Sequence, residues 1–296
     1  MKLVLKAVSG FVSRLSLPSA LALGRRLGSV YGSVIRYHRR DALEALRRSF
    51  PGKSDIEIRG ILKRMYENLG MNLVELLRLS RAPDGYFRDF IAWDGEEHVR
   101  NALARQKGLL VLSAHMGNWD LLCTAAPRFS YPLTIITKEI RNKAVNDFWM
   151  DIRARFGLKF APAHSSYRMC LSALKKNEII GFILDQNMIR DEGVFVDFFG
   201  RPACTTPGLA YMSMQSGAPV VPAFTIRQED GHHLVKILPP IEPPPDRTPQ
   251  TIQQFTQVYT HIIEQVVREH PDQWIWIHRR WRTVPANTAG SENRAL

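Results

Sequence analysis

The sequence predicts an α/β fold: a mixed, largely parallel central sheet flanked by helices, with an N-terminal helical region that associates with a membrane. Three observations lead there. From about residue 96 onward, short β-rich apolar runs alternate with helical stretches. The first 80 residues lack such runs and read as helix almost throughout. Positive charge gathers in that helical part: residues 1–64 carry fourteen Lys/Arg and four Asp/Glu, a balance of +10 out of a net +12 for all 296 residues.

Residues 3–37 read LVLKAVSGFVSRLSLPSALALGRRLGSVYGSVIRY, with apolar residues at helical spacing and Lys6, Arg14, Arg25, Arg26 and Arg36 between them. No stretch reaches the ~18 uninterrupted apolar residues of a transmembrane helix. No small-residue cleavage site follows the apolar part, which argues against a secretory signal. Two readings fit. One is a basic amphipathic segment lying in a membrane interface. The other is a pair of ordinary helices packed on the domain, and different faces can serve both. Pro18 and Pro51-Gly52 punctuate the region, and Ser54 with Glu57 forms a capping box opening a helix that runs toward Leu79. Ala82-Pro83-Asp84-Gly85 breaks it. The organisation expected is therefore 1–82, an N-terminal helical, membrane-interacting region; 83–284, an α/β domain; and 285–296, a disordered polar tail.

The β-rich runs are GLLVLSA (108–114), LTIIT (133–137), IIGFIL (179–184), VFVDFF (194–199), PVVPAFTI (219–226) and HLVKIL (233–238). Helical stretches lie between most of them, at about 96–106, 119–128, 143–156, 165–176 and 206–217. Such alternation indicates a buried, partly parallel sheet. PPIEPPPDRTP (239–249) is a stiff surface connection, followed by a helix over about 249–269 and the segment PDQWIWIHRRWR (271–282). A hydrophobic content of 45% supports a large core. Cys123, Cys170 and Cys204 show no CxxC spacing, which points to a reducing compartment and away from a zinc site or disulfide framework.

One stretch carries candidate chemistry. SAHMGNWD, residues 113–120, follows the apolar run GLLVL. His115 falls just past the carboxyl end of a buried strand, the edge where α/β sheets bind ligands. A regular helix would place positions i and i+5 about 500° apart, so His115 and Asp120 face each other only across a turn. Gly117 and Asn118 are turn residues. Across that turn the Asp120 carboxylate can accept the Nδ1 proton of His115 and leave Nε2 as a base toward an alcohol. Alternatively, Asn118 or Asp120 simply caps the helix beginning DLLC. The spacing alone leaves both readings open.

Several motifs in order then resemble the bacterial lipid A biosynthesis (lauroyl/myristoyl) acyltransferases, within the H-x4-D/E glycerolipid-type acyltransferase superfamily. SAHMGNWD is similar to the H-x4-D/E signature. RRSFPGKSDIE…YENLGMNLVELLRL, LDQN with VFVDFFGRPACTTPGLAYMSMQSGAPVVPAF, and the closing DQWIWIHRRWR resemble further blocks of that branch, so the likeness covers nearly the whole chain. It implies transfer of a fatty acyl chain from a carrier-protein or coenzyme A thioester to a hydroxyl of a lipid A precursor or related glycolipid. His115 would be the general base, oriented by Asp120. Mycobacterial acyltransferases of mannosylated phosphatidylinositol share the ground plan, so the acceptor stays open between these lipids.

The resemblance also supplies substrate-binding candidates. Family members carry an arginine after the strand that follows the motif; here TIITKEIRNK puts Lys138 there and Arg141 one turn on, and Arg153 in DIRARFG is a further cation. Lysine lacks the planar bidentate fork, so phosphate would be held more loosely by Lys138. Asn118, Asp185 and Gln186 complete the set, Asp185 ending the strand IIGFIL as either a helper of His115 or a turn residue. Backbone N–H groups near Gly117 are candidates for an oxyanion site. Phe198 and Phe199 either line an acyl groove or pack in the core. The Trp274/Trp276/His278/Arg279/Arg280/Trp281 cluster either anchors at the interface, contacts phosphate, or is a helix packing its tryptophans on the sheet.

No HExxH, clustered His/Cys, Walker or Rossmann fingerprint is present, which predicts no metal and no cofactor beyond the acyl donor. The partners implied are acyl carrier protein, a membrane lipid acceptor and the inner-membrane surface on its cytoplasmic face, without nucleic acid. A thioesterase or lipid hydrolase on the same scaffold is the alternative. Nucleic-acid binding, prompted by a pI near 9.9, fits poorly, because the basic residues interleave with apolar ones on helices and no nucleic-acid module is visible.

Overall fold

The computed structural model describes residues 2–83, 85–163 and 165–286; Asp84 of the predicted break and residues 287–296 of the expected tail lie outside the described residues. The helical region forms as read: α1 (Lys2–Val12), α2 (Leu17–Val30), α3 (Arg39–Ser49) and α4 (Asp55–Leu79). Ser16 caps α2 by accepting from the Ser19 N–H. The Ser54/Glu57 capping box is present in both directions, with Ser54 N–H donating to Glu57 at 2.8 Å and Glu57 N–H to Ser54 Oγ at 3.3 Å. Between α2 and α3 the chain makes a π-helical turn, Tyr31–Ile35, that ends in Arg36 at φ +57°.

A ridge of small residues fixes α2 on α4. Gly24, Gly28 and Gly32 recur every fourth residue and so share one face. A Cβ on Gly28 would collide with the Tyr66 carbonyl, and one on Gly70 of α4 would collide with the Gly24 carbonyl. Backbone lies directly against backbone, which only glycine permits.

The α/β part adds α5 (Tyr86–Phe90), β1 (Ile91–Asp94), α6 (Glu96–Ala104), β2 (Leu109–Ser113), α7 (Trp119–Ala125) and β3 (Leu133–Thr137). It continues with α8 (Lys143–Arg155), β4 (Lys159–Pro162), α9 (Tyr167–Lys175), β5 (Ile179–Ile183), β6 (Val194–Phe198) and β7 (Arg201–Thr205). It closes with α10 (Gly208–Ser216), β8 (Val220–Arg227), β9 (His233–Ile237) and α11 (Pro249–Glu269). Seven strands form one sheet in the order β1-β9-β8-β2-β5-β3-β4. Every adjacent pair is parallel except β8–β9, so the predicted mixed, largely parallel sheet is what forms.

Two strands absent from the reading, β1 and β4, are the sheet edges. IAWD and KFAP are four residues each, too short for a period to show. VFVDFF was read as one of the alternating runs, but it leaves the main sheet. With β7 it makes an antiparallel hairpin that turns at Phe199-Gly200, both at positive φ, and packs against α11.

The sheet is sandwiched. Leu110 and Leu112 of β2 face a core shared with Leu174, Leu209 and Val267 of α9, α10 and α11. Leu109 faces the opposite core with Val99, Leu121 and Ile152 of α6, α7 and α8. The long helix α4 contributes to both, through Ile58 and Leu62 to the first and Val74 and Leu77 to the second. Val12 of α1 and Ala20 of α2 are buried in the second core, so these helices are packed on the domain, as one of the two readings of residues 3–37 required.

The glycine ridge gives a sign-reversed test. Gly28→Ala should destabilise by about 1–3 kcal/mol through overpacking, seen as a thermal midpoint lowered by roughly 2–10 °C. Gly60→Ala, where a Cβ meets only the tip of Arg64 at 3.5 Å, should instead stabilise by about 0.5–1 kcal/mol. Equal midpoints for the two variants would remove the close-packing account.

Candidate active site

The parallel register between β2 and β5 sets the site. Ser113 lies opposite Ile183, so the residues two positions beyond each strand, His115 and Asp185, arrive together at the carboxyl edge. His115 Nδ1 is 2.8 Å from Asp185 Oδ1, and the His115 backbone N–H donates to Asp185 Oδ2 at 2.9 Å. Trp274 Nε1 donates to the same Oδ2 at 2.7 Å. Buried Asp185 thus accepts three hydrogen bonds.

This corrects the expected pairing of His115 with Asp120. Asp120 is the second residue of α7 and turns toward α8, where its Oδ1 accepts from Trp149 Nε1 at 3.1 Å and from Arg153 at 2.8 and 2.5 Å. Arg153 also lies over the Trp149 ring, 5.1 Å from its centroid. The turn forms, but it carries Asp120 away from the ring nitrogen. Trp119, the residue before it, stands edge-on to His115 at 5.1 Å between centroids.

Electrostatics follow from this arrangement. Burial works against a charged His115 ring, but Asp185 outweighs it through charge and hydrogen bond; with help from Asp120 and against Arg153, the pKa rises above 6.5. Burial alone would raise the Asp185 pKa, yet His115 and the Trp274 N–H hold it down to about 2. Asp185 is accordingly a carboxylate at neutral pH, the proton shared with it sits on Nδ1, and the neutral ring presents a lone pair at Nε2. The His115 side chain is 19% exposed, and Gln186 Nε2 lies 3.4 Å from its Nε2.

The other candidates divide. Asn118 is buried: its Oδ1 accepts the Leu121 N–H at 3.3 Å to cap α7, and its Nδ2 donates to Glu75 Oε2 at 2.7 Å. The capping reading holds for Asn118, and the expected substrate contact is not open to it. Lys138 and Arg141 are exposed on the loop after β3, at the same sheet edge but two strands from β2. Among the described residues no hydrogen bond or ion pair joins them to His115. The Gly117 N–H donates to Gln273 O at 2.9 Å, so it is not free to serve as an oxyanion donor.

The tryptophan-arginine segment forms no helix. It runs behind the motif as a strap, with a bridge between Met116 and Trp274 and the Ile275 N–H donating to His115 O at 3.3 Å. Trp274 and Trp276 are buried in the core together with Phe198 and Phe199, so core packing is the role of those phenylalanines. Arg280 is buried, with no ion pair to a carboxylate among the described residues; it donates to Gln186 O at 3.2 Å, to Cys204 O at 2.7 Å and to Thr205 Oγ1. Burial lowers its pKa to about 10, leaving it a cation that anchors the strap. His278 Nε2 accepts the Asn187 N–H at 2.9 Å, and burial lowers its pKa, so it stays neutral.

An apolar cleft opens on the α6/α7 side of the sheet. Val111 and Ser113 of β2, Leu133 and Ile135 of β3, and Gly181 and Ile183 of β5 line it. Ser113 and Ile183, two residues short of His115 and Asp185, are the lining residues nearest the carboxyl edge of β2 and β5.

Comparison with known proteins supplies context. The family described as bacterial lipid A biosynthesis acyltransferase matches residues 5–283. The lipid A biosynthesis palmitoleoyltransferase of Escherichia coli (strain K12) is 27% identical over 282 residues, 92% of this chain and 88% of that one. The lipid A biosynthesis lauroyltransferase of the same strain is 26% identical over 278 residues, 93% of this chain and 89% of that one. A crystal structure of the 1-acyl-sn-glycerophosphate acyltransferase from Thermotoga maritima covers 86% of this chain and 96% of its own at 13% identity, with a TM-score of 0.38.

The partner assignment is open to direct test. In NMR titration the His115 ring should titrate above 6.5, and Asp185→Asn should lower that value by about one unit or more, because the carboxylate that favours the charged ring is gone. Asp120→Asn should move it less. The reverse order of shifts would overturn the pairing.

Proposed function

The chain belongs to the bacterial lipid A biosynthesis acyltransferase family and is an O-acyltransferase; on that premise we propose that it moves a fatty acyl chain from an acyl carrier protein thioester to a hydroxyl of a lipid A precursor at a membrane surface. The observation that carries the mechanism is the His115–Asp185 pair at 2.8 Å, which leaves Nε2 outside that hydrogen bond, 3.4 Å from Gln186 Nε2. The thioester is already activated, so one base suffices for the chemistry.

In this reading the acceptor hydroxyl gives its proton to His115 Nε2 as its oxygen forms a bond to the thioester carbonyl carbon. The tetrahedral intermediate collapses by breaking the carbon–sulfur bond. The leaving thiolate takes the proton from the imidazolium, and ester and thiol depart. Asp185 fixes the tautomer and stabilises the transient imidazolium without taking the proton itself. Because the base must be neutral and its pKa is raised, activity falls on the acid side from a pH above 6.5. The apolar cleft beside Ser113 and Ile183 suits the hydrocarbon chain. The two E. coli relatives, named for different acyl groups, match this chain almost equally, so similarity to them leaves the chain length open.

Membrane association rests on the N-terminal surface. Val34 and Ile35 are 72% and 62% exposed at the π-turn, and Phe11 at the end of α1 is 60% exposed. Arg25, Arg26, Arg36 and Arg40 are exposed nearby along the chain. Apolar tips flanked by arginines suit the interface of an anionic bilayer, such as the cytoplasmic face of the inner membrane. Among the described residues no helix is long and apolar enough to cross a membrane.

His115→Ala should reduce acceptor-dependent acyl transfer by at least about 100-fold in a protein that still melts cooperatively. Near-wild-type transfer would remove the mechanism, and free fatty acid release with or without acceptor would favour a thioesterase. In vesicle flotation with anionic phospholipid, the Val34→Asp/Ile35→Asp variant should partition at least ~10-fold less than wild type. Unchanged partitioning would reduce the patch to ordinary surface.

A further inference from the structure

A second charged cluster lies behind the catalytic turn, wholly inside the protein. Glu75 of α4 has a side chain only 1% exposed and accepts four hydrogen bonds. Arg227, the last residue of β8, supplies two, at 2.5 and 2.7 Å. His233 Nε2, at the start of β9, gives a third at 2.9 Å, and Asn118 Nδ2 the fourth at 2.7 Å. One turn earlier on α4, Asn72 Oδ1 accepts from Arg227 Nη2 at 2.6 Å, and Asn72 Nδ2 donates to Gly117 O at 2.5 Å. Arg227 and His233 overcome the cost of burying Glu75, whose pKa is held well below the usual carboxylate range.

Such a pair is a poor device for stability alone. Desolvating two ions cancels most of their attraction, and apolar residues of similar volume often stabilise a fold as well. What the pair supplies instead is direction. Glu75 accepts directly from Asn118, and Arg227 holds Asn72, which donates to Gly117 O, so both ions bear on the middle of the turn between His115 and Asp120. Gly117 sits at φ +52°, and a Cβ there would collide with Thr225 O of β8. The turn is thus pressed on β8, tied to the strap through Gly117 N–H, and tied to α4 through Gly117 O and Asn118.

We infer that Asn72, Glu75 and Arg227 are positioning residues for the reaction: they contact no substrate, and by fixing the Gly117–Asn118 turn they hold the His115 ring against Asp185. This rests on the reading of His115 as the base. The groups facing His115 are Asp185 from the end of β5, Asp120 of α7, Arg153 of α8 and His278 of the strap. Slackening the turn lets the ring drift from Asp185, the nearest of them, and the His115 pKa falls toward 6.5.

Two variants test this in the full-length protein: Asn72→Ala, which removes the donor to Gly117 O, and the apolar pair Glu75→Leu/Arg227→Met, which leaves no unpaired charge. Each should keep a cooperative melt. Each should lower kcat by about 10–100-fold while KM for the thioester stays within about twofold. The acid limb of the rate profile and the NMR titration of His115 should both move to lower pH. Mere destabilisation would shrink the active fraction and leave that limb where it was. A folded variant with wild-type kcat and an unshifted His115 titration overturns the inference. If His115→Ala retains transfer, the base assignment fails, and the NMR titration of the Asn72→Ala protein still decides whether the clamp positions the ring.

Discussion

One buried carboxylate organises the carboxyl edge of the sheet. Asp185 accepts from the ring of His115, from the His115 backbone and from Trp274. It therefore joins the ends of two parallel strands and the C-terminal strap at a single point. An ionised group there is tolerable only because all three donors converge on it. Remove them and burial would push the proton back onto Asp185, and the histidine would lose both its tautomer and its orientation. The strap, the hairpin under it and the anchoring by buried Arg280 all serve to keep those donors in place.

The sheet made this legible in part. His115 was identifiable at the carboxyl edge because GLLVL is a continuous apolar run followed by turn residues, and parallel sheets expose chemistry at that edge. Arg153 was read as a cation for the anionic part of the substrate, whereas its guanidinium is held by Asp120. The partner carboxylate was not assigned correctly, because proximity in sequence favoured Asp120. Which strand neighbours β2, and in what register, is a property of the assembled sheet; a run of five apolar residues does not encode it. Once Ser113 stands opposite Ile183, Asp185 follows.

The buried clamp left a different signature. Glu75 stands in LVELLRL, a charge within an apolar helical stretch, and Arg227 ends PVVPAFTIR, a strand otherwise without charge. Each is anomalous alone; their pairing spans 152 residues, a separation that no local pattern reports. The edge strands and β7 escaped for a simpler reason. Four- and five-residue segments containing proline, such as KFAP and RPACT, carry too few alternations to show a period.

The strap also has a consequence in time. A chain is made from its N-terminus, and domains begin to fold as they emerge. The sheet strands around His115 and Asp185 are synthesised well before Trp274, which carries the third donor, and before Gln273, which receives the Gly117 N–H. Until those residues leave the ribosome, Asp185 lacks a donor and the turn at Gly117 lacks its back wall. The nascent chain can have most of its sheet and still lack the strap that backs the His115–Asp185 pair.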